Sequence, residues 1–398
     1  MTSFELSDDH RDFRAAVADF AAAEVAPYAE KWDAEHHFPL ELIAKMGQFG
    51  LFGLHAPEEY GGAGDFTSLC IAIEELGRAD QSVGITLEAA VGLGINPIAT
   101  YGTAEQKDRF LPDLVAGKAL AGFGLTEPEA GSDAGATRTR AELADGQWTI
   151  NGAKQFITNS GTDITSVVTV TARTGTREDG SAEISAIMVP NGTPGFTVEP
   201  AYRKLGWHAS DTHPLSFSNV TVPEDHLLGK RGKGYGQFLS TLDDGRVAIA
   251  ALALGCIRAC RDLAVAYAKD RTSFGGPIGR KQGVAFQLAD LDVAVRTAEL
   301  LVYSAAALKD AGAADGAPRQ GDAQRAEFKR AAAIAKLYAT EQAVTATRIA
   351  TQVFGGYGFI EEFPIARFYR DAKILEIGEG TSEIQRMLIA RGLGLPVE

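Results

Sequence analysis

Apolar positions fall at helical spacing over the first part of the chain. Ser7 can cap a helix that turns Phe13, Val17 and Phe20 to one side; Ala-rich spacing runs on to Val25, and Pro27 follows. Helical spacing resumes at Leu69, Ile73 and Leu76, continues through the apolar stretch from Leu87 to Ile98, and returns between Lys107 and Leu114. Between these runs lies a Gly-rich segment, Pro57 to Gly64. No strand precedes it, so it reads as a helix connector and not as a phosphate cradle. From about residue 121 to 235 the pattern becomes β. Gln147–Ile150, Thr165–Thr171, Ile184–Val189, Phe196–Glu199 and Leu215–Val222 are each bounded by Gly, Pro, Asn or Asp. Asp145-Gly146 and Asn151-Gly152 read as turns on either side of the first. Beyond residue 236, long Ala/Leu/Val runs occupy 247–269, 282–309 and 323–353. They are interrupted near Gly275-Gly276-Pro277 and at 311–320, a Gly-, Ala- and Asp-rich stretch that reads as an exposed helix–helix loop. Three long helices and a short one after Ser382 predict an antiparallel bundle. The pattern as a whole predicts an α+β fold, mainly α. It has an N-terminal helical domain (1–120), a small β-barrel or sandwich domain (121–235) and a C-terminal four-helix bundle (236–398).

The length of 398 residues agrees with several domains, since single cores stop growing near roughly 250–300 residues. A formal net charge of −14 without a block of Lys or Arg disfavours nucleic acid and anionic membranes. The three cysteines are odd in number, and Cys256 and Cys260 lie at i, i+4 in an apolar helical run. They read as core residues of a reducing compartment, not as a disulfide framework. The first residues carry neither an apolar signal core nor an Arg-rich amphipathic start, and no apolar run of about 18 residues stands out. The expected location is the cytoplasm.

The stretch Ile374 to Arg391 places a carboxylate, Glu379, between Gly378 and Gly380, just before a helix start. Ser382 and Gln385 read as a capping box, with Ile384, Leu388 and Ile389 as the apolar stripe. A Glu in that place can simply complement the helix dipole. Flanking glycines also let a ligand approach the backbone N–H groups while the carboxylate enters the same space, so it can equally act as a general base.

This C-terminal stretch resembles the signature of acyl-CoA dehydrogenases, and so do segments far from it. Gly124-Leu125-Thr126-Glu127-Pro128-Glu129-Ala130-Gly131-Ser132-Asp133 resembles the family's first signature, and Gln352 to Phe359 its second. The first implies that Phe123, Leu125, Thr126, Gly131 and Ser132 line a flavin, with Ser132 also near the thioester ligand. Lys154 to Asn159 is similar to the segment whose aromatic, here Phe156, covers the flavin ring and whose hydroxyl, Thr158, approaches its N5. Leu242 to Arg246 resembles the substrate-contacting helix turn, which puts Tyr235, Asp243, Arg246 and Gly380 with the CoA ligand. Arg271, Phe274, Gln282, Gln352, Gly355 and Gly356 resemble residues that reach the FAD of a neighbouring subunit, and Thr381 and Glu383 join the cofactor set. Glu362, Arg367 and Asp371 read as structural ion pairs.

The resemblance covers almost the whole chain in order. It implies FAD-dependent α,β-dehydrogenation of an acyl-CoA thioester in a homotetramer, with Glu379 as base and electron-transfer flavoprotein as acceptor. An acyl-CoA oxidase using O2 and a non-catalytic flavoprotein that binds a partner are the alternatives. Gly378 departs from the Tyr often found before the base, which points to a wider wall for branched, longer or ring-bearing chains.

Overall fold

The computed structural model describes residues 5–314 and 322–397. The N-terminal helices are α1 (Asp8–Glu24), α2 (Ala29–Glu35), α3 (Leu40–Gln48), α4 (Phe66–Ala79), α5 (Gln81–Glu88), α6 (Asn96–Tyr101) and α7 (Ala104–Val115). Ser7 caps α1, its Oγ accepting from the His10 N–H at 3.1 Å, and Val17 is buried. Between α5 and α6 the chain stays helical but widens into a π turn, Ala89–Ile95. The continuous run Gln81–Tyr101 is, against the sequence expectation, 21 residues long and apolar enough to cross a membrane. However, 78% of its apolar window is buried inside the protein, where it serves as a core helix.

The strands are β1 (Leu120–Gly124), β2 (Arg140–Ala144), β3 (Gln147–Thr158), β4 (Thr165–Thr176), β5 (Ala182–Pro190), β6 (Phe196–Val198), β7 (Thr212–Pro223) and β8 (Leu227–Leu228). They form one sheet in the order β6-β7-β3-β2-β4-β5-β8, with β1 parallel to β4 at its side. Asp145-Gly146 makes the expected β2–β3 turn, both at positive φ. Asn151-Gly152 does not turn the chain. It lies inside β3, where pairing with β2 on one side and β7 on the other carries the backbone through, leaving a bulge at Gly152. That glycine is required by contact: a Cβ would come within 2.6 Å of the Thr139 backbone.

The C-terminal part consists of α8 (Gly234–Asp270), α9 (Gln282–Ala314), α10 (Asp322–Phe354), α11 (Pro364–Ala372) and α12 (Ser382–Gly392). Helix α9 continues past the break expected at 311, and the rest of that segment lies outside the described residues. The short helix α11 was not foreseen. Helix α8 is the spine, packed on α4, α9 and α10 with nearly every residue from Asp243 to Ile257 buried. Arg367 ion-pairs with Asp80 at 3.2 Å, and Asp371 accepts the Trp207 N–H at 2.6 Å, so both tie α11 to other parts of the molecule. Glu362 is exposed.

Where α4 crosses α8 the backbones nearly touch. A Cβ on Gly255 would sit 2.3 Å from the Glu74 carbonyl oxygen and 2.9 Å from the Arg78 nitrogen, and backbone cannot rotate away. Gly255→Ala is expected to lower stability by about 2–3 kcal/mol, read as an earlier urea midpoint with unchanged slope. An unchanged midpoint would show that the crossing has slack.

Candidate active site

The chain reaches Glu379 through the 3₁₀ turn Lys373–Glu376, and the residue stands at φ +52°, left-handed for a side-chain-bearing residue. Such a conformation costs on the order of 1–3 kcal/mol and persists only where its surroundings impose it. Here two wholly buried side chains impose it. Lys336 of α10 donates from Nζ to the Gly380 carbonyl at 2.8 Å, and Gln385 of α12 donates to the same oxygen at 2.8 Å. Thr381, not Ser382, caps α12, its Oγ1 accepting the Ile384 N–H at 3.3 Å. The cap shifts by one residue because Gly380 at φ +93° completes the turn and Thr381 already has extended backbone. Among the described residues the Glu379 N–H has no acceptor.

The Glu379 side chain points at α8. Its Oε2 is buried without a donor, and lies 2.0 Å from where a Cβ of Gly245 would be. The missing side chain at 245 is therefore the space the carboxylate occupies. The carboxyl of Glu88, at the end of α5, faces it within hydrogen-bond reach and is itself buried. Burial raises the Glu379 pKa to about 7, opposed by the Glu88 hydrogen bond and the charges of Lys336 and Arg246. Burial likewise lowers Lys336 to about 8, with Glu379 pulling it back. Arg246 is buried and ion-paired to Asp243, which also faces Lys329 at 3.4 Å. Gly92 and Gly245 line a small cavity of about 10 Å³ with His55, Leu69, Val91 and Ala248.

A second group forms around the loop after β1. The Phe123 ring stacks on Phe238 of α8 at 3.9 Å, and Leu125 is buried. Lys154, fully buried in β3, ties this loop down: its Nζ donates to Glu127 at 2.7 Å, Thr171 at 3.0 Å and the Leu125 carbonyl at 3.3 Å. Burial lowers Lys154 to about 8; burial also works against ionised Glu127, yet the Lys154 charge and hydrogen bonds hold that acid at about 2. On the same loop the Thr126 carbonyl accepts the N–H of Gln155 in β3 at 2.8 Å. Phe156 is 60% exposed at φ +61°, tilted against Tyr202, and Thr158 ends the strand. Gly131 and Ser132 are exposed, and the Tyr235 ring lies beside Gly135.

The third group stands apart. Arg271, Gly355 and Gly356 line a cleft of about 450 Å³ with Tyr267, Phe354 and Tyr357, and the Arg271 guanidinium lies over the Tyr357 ring at 5.6 Å. Gln282, Gln352 and the 91% exposed Phe274 face solvent. Arg246 and Arg271 belong to α8 and its C-cap, so at a rise of 1.5 Å per residue they are about 37 Å apart. Thr381 and Glu383 stay with the first group, at the start of α12.

Three family models match the chain in sequence: acyl-CoA dehydrogenase N-terminal domain over 7–118, middle domain over 122–220 and C-terminal domain over 232–394. The chain belongs to the acyl-CoA dehydrogenase family. It is an oxidoreductase, 46% identical to a probable acyl-CoA dehydrogenase of Bacillus subtilis over 98% of this chain and 99% of that relative. Among solved structures, butyryl-CoA dehydrogenase from Megasphaera elsdenii matches with TM-score 0.91 and 41% identity, over 98% of this chain and all of that one. An acyl-CoA dehydrogenase from Bacillus anthracis, solved in complex with FAD, matches with TM-score 0.90 and 32% identity, over 98% of this chain and 69% of that one.

Sequence reasoning missed Glu88, Lys336 and Gln385 as parts of the site. A signal existed for two of them: Glu88 is a lone acid in the apolar stretch from Val83 to Ile95, and Lys336 a lone base in Ala-Ala-Ala-Ile-Ala-Lys-Leu. An isolated charge in an otherwise apolar run is a buried charge in want of a partner.

Proposed function

We propose that this family member dehydrogenates a short acyl-CoA thioester between its α and β carbons, with Glu379 as the base. The observation that carries the reading is the buried Oε2 of Glu379, free of donors and aimed at the gap left by Gly245. A base needs a pKa near the working pH, and burial brings this carboxyl there. Glu379 takes the α proton onto its carboxylate while its free N–H hydrogen-bonds the thioester oxygen, where negative charge develops as the C–H bond breaks. FAD, when bound there, would supply the two-electron acceptor that takes the β hydrogen as hydride. The residues present fit that cofactor: the exposed Phe156 offers an aromatic face, the Lys154-anchored loop offers backbone groups, and the Arg271 cleft offers a cation to a diphosphate.

Arg271, at the far end of α8, and Gly355 and Gly356, which share its cleft, stand too far from Arg246 to serve the flavin ring beside their own Glu379, and Gln282 and Gln352 belong to the flanking helices α9 and α10. This supports a homotetramer in which each copy completes a neighbour's FAD site. The purified protein is expected to be yellow and tetrameric by native mass, and Arg271→Ala to lose FAD about tenfold more readily in gel filtration. A colourless monomer that takes up no FAD would reject this arrangement. Electron-transfer flavoprotein is the proposed acceptor, and equal reoxidation rates with it and with O2 would move the assignment to an oxidase.

The likeness to a short-chain specific relative and to a butyryl-CoA dehydrogenase favours short straight chains over the longer or branched ones that Gly378 suggests. Anaerobic flavin bleaching across a panel of acyl-CoAs tests both reaction and chain length; bleaching by long chains alone would refute the short-chain assignment. The base must be ionised before substrate binds, so kcat/KM is expected to fall tenfold per pH unit below about 7, the raised value of Glu379. A limb near the ordinary carboxylate range, below about 5, would show that the base is solvated.

A further inference from the structure

We propose that Glu88 is a positioning residue for the base: its neutral carboxyl donates a hydrogen bond to the Glu379 carboxylate, so that the pair holds one proton between them. The proposal rests on reading Glu379 as the base. Glu88 closes α5 at the point where the helix opens into the π turn Ala89–Ile95, a distortion common at functional sites. That places its side chain inside the protein, with no surface exposure. Both its carboxyl oxygens lack any fixed donor among the described residues, and the group facing it is the Glu379 carboxyl.

Two buried carboxylates in contact cannot both be ionised, because each would lose its hydration and then repel the other. The charges around them decide which keeps the proton. Lys336 from α10 and Arg246 from α8 both act on Glu379, and no cation acts on Glu88. Of the remaining acids nearby, Asp243 pairs with Arg246 and Lys329 and Glu376 with Lys373, while Glu383 on α12 is exposed to solvent and acts on Lys336. Asp244, behind Gly245 in the cavity wall, pairs with Lys309 at 2.8 Å. Ionisation therefore belongs to Glu379, and the proton to Glu88, whose pKa burial pushes well above the ordinary range. Gly92 supports the arrangement sterically, since a Cβ there would lie 3.0 Å from Glu88 Oε1. A neutral donor is what an active-site base needs from its neighbour. It keeps the carboxylate charged and aimed at the gap of Gly245, and makes no ion pair that would have to be broken when the α proton arrives.

The test compares Glu88→Gln, which retains a donor of the same size, with Glu88→Leu, which removes it, both as FAD-loaded full-length protein. The acid limb of kcat/KM is expected to stay near that of the parent in Glu88→Gln. In Glu88→Leu it should rise by about one pH unit, a tenfold loss below the limb. If both variants instead lower the limb, Glu88 is a repelling charge and the proposal is wrong; if neither moves it, the residue is only structural and the proposal is equally wrong. A second measurement does not need turnover or a folded Leu variant. Infrared spectra of the ligand-free holoenzyme at about pH 9, above the raised value of Glu379, should show a protonated carboxyl band that is lost in Glu88→Gln and kept in Glu379→Gln when each variant is subtracted from the parent. The reverse pattern would put the proton on Glu379 and overturn the assignment. Failure of Glu379 itself as base would appear separately, as near-parent activity in Glu379→Gln whatever the infrared result.

Discussion

Glu379→Gln is expected to reduce its flavin with acyl-CoA about 10⁴-fold more slowly than the parent, while FAD content and ligand affinity stay unchanged. The amide keeps the shape of the side chain and can still accept from Glu88, so the turn held by Lys336 and Gln385 has no reason to move. Only the capacity to take a proton is lost. The geometry also offers a rescue. The Cβ of residue 245 would point to within 2.0 Å of the Glu379 Oε2 position, so a carboxylate carried by α8 enters the same volume once the native side chain is gone. Glu379→Gly combined with Gly245→Glu is expected to recover part of the activity, and stopped-flow bleaching under anaerobic conditions reads both effects. Reduction of Glu379→Gln at near the parent rate would remove this residue from the chemistry. Failure of the double variant alone would implicate only the approach angle from α8.

Gly245→Ala is the complementary experiment, and it changes no chemical group. The added methyl occupies the position of the Glu379 Oε2, and the α8 backbone is fixed by burial along its length, so the carboxylate has to turn away. A displacement of about 1 Å at a reacting group costs about 10²-fold. The expected result is a kcat lowered by that factor in a protein that is still yellow and melts near the parent temperature. A parent-like kcat would mean that Glu379 leaves this position before it reacts, so that the resting geometry is not the productive one.

Much of this site was legible in the chain, and the reason differs from residue to residue. Glu379 was visible because its two glycines and the helix start beside it are local features, and local features survive in one dimension. Composition and periodicity likewise separated the helical ends from the β middle, since burial of one face imposes a period of 3.6 or 2 wherever the element lies. The family resemblance supplied roles for Phe123, Arg246 and Arg271, which spacing alone left open between ligand contact, core packing and surface charge.

Other features depended on which parts of the chain meet. Asn151-Gly152 has the composition of a turn, yet strands on both sides hold it straight, because ladder hydrogen bonds outweigh a dipeptide preference. Ser382 carries the right residue type for a cap, and the turn geometry at Gly380 assigns that place to Thr381. The widest gap concerns Glu88, nearly 300 positions before Glu379 in the chain. Periodicity marks it as buried and cannot name what it is buried against. Its meeting with Glu379, the gap at Gly245 and the grip of Lys336 all require α5, α8 and α10 to pack around one point. The sequence by itself determined that a carboxylate would stand at a helix start between two glycines. The tertiary structure decided that one of its oxygens is desolvated, faced by a second acid and seated in the gap left by Gly245, because charge, dielectric and free volume are properties of neighbours in space.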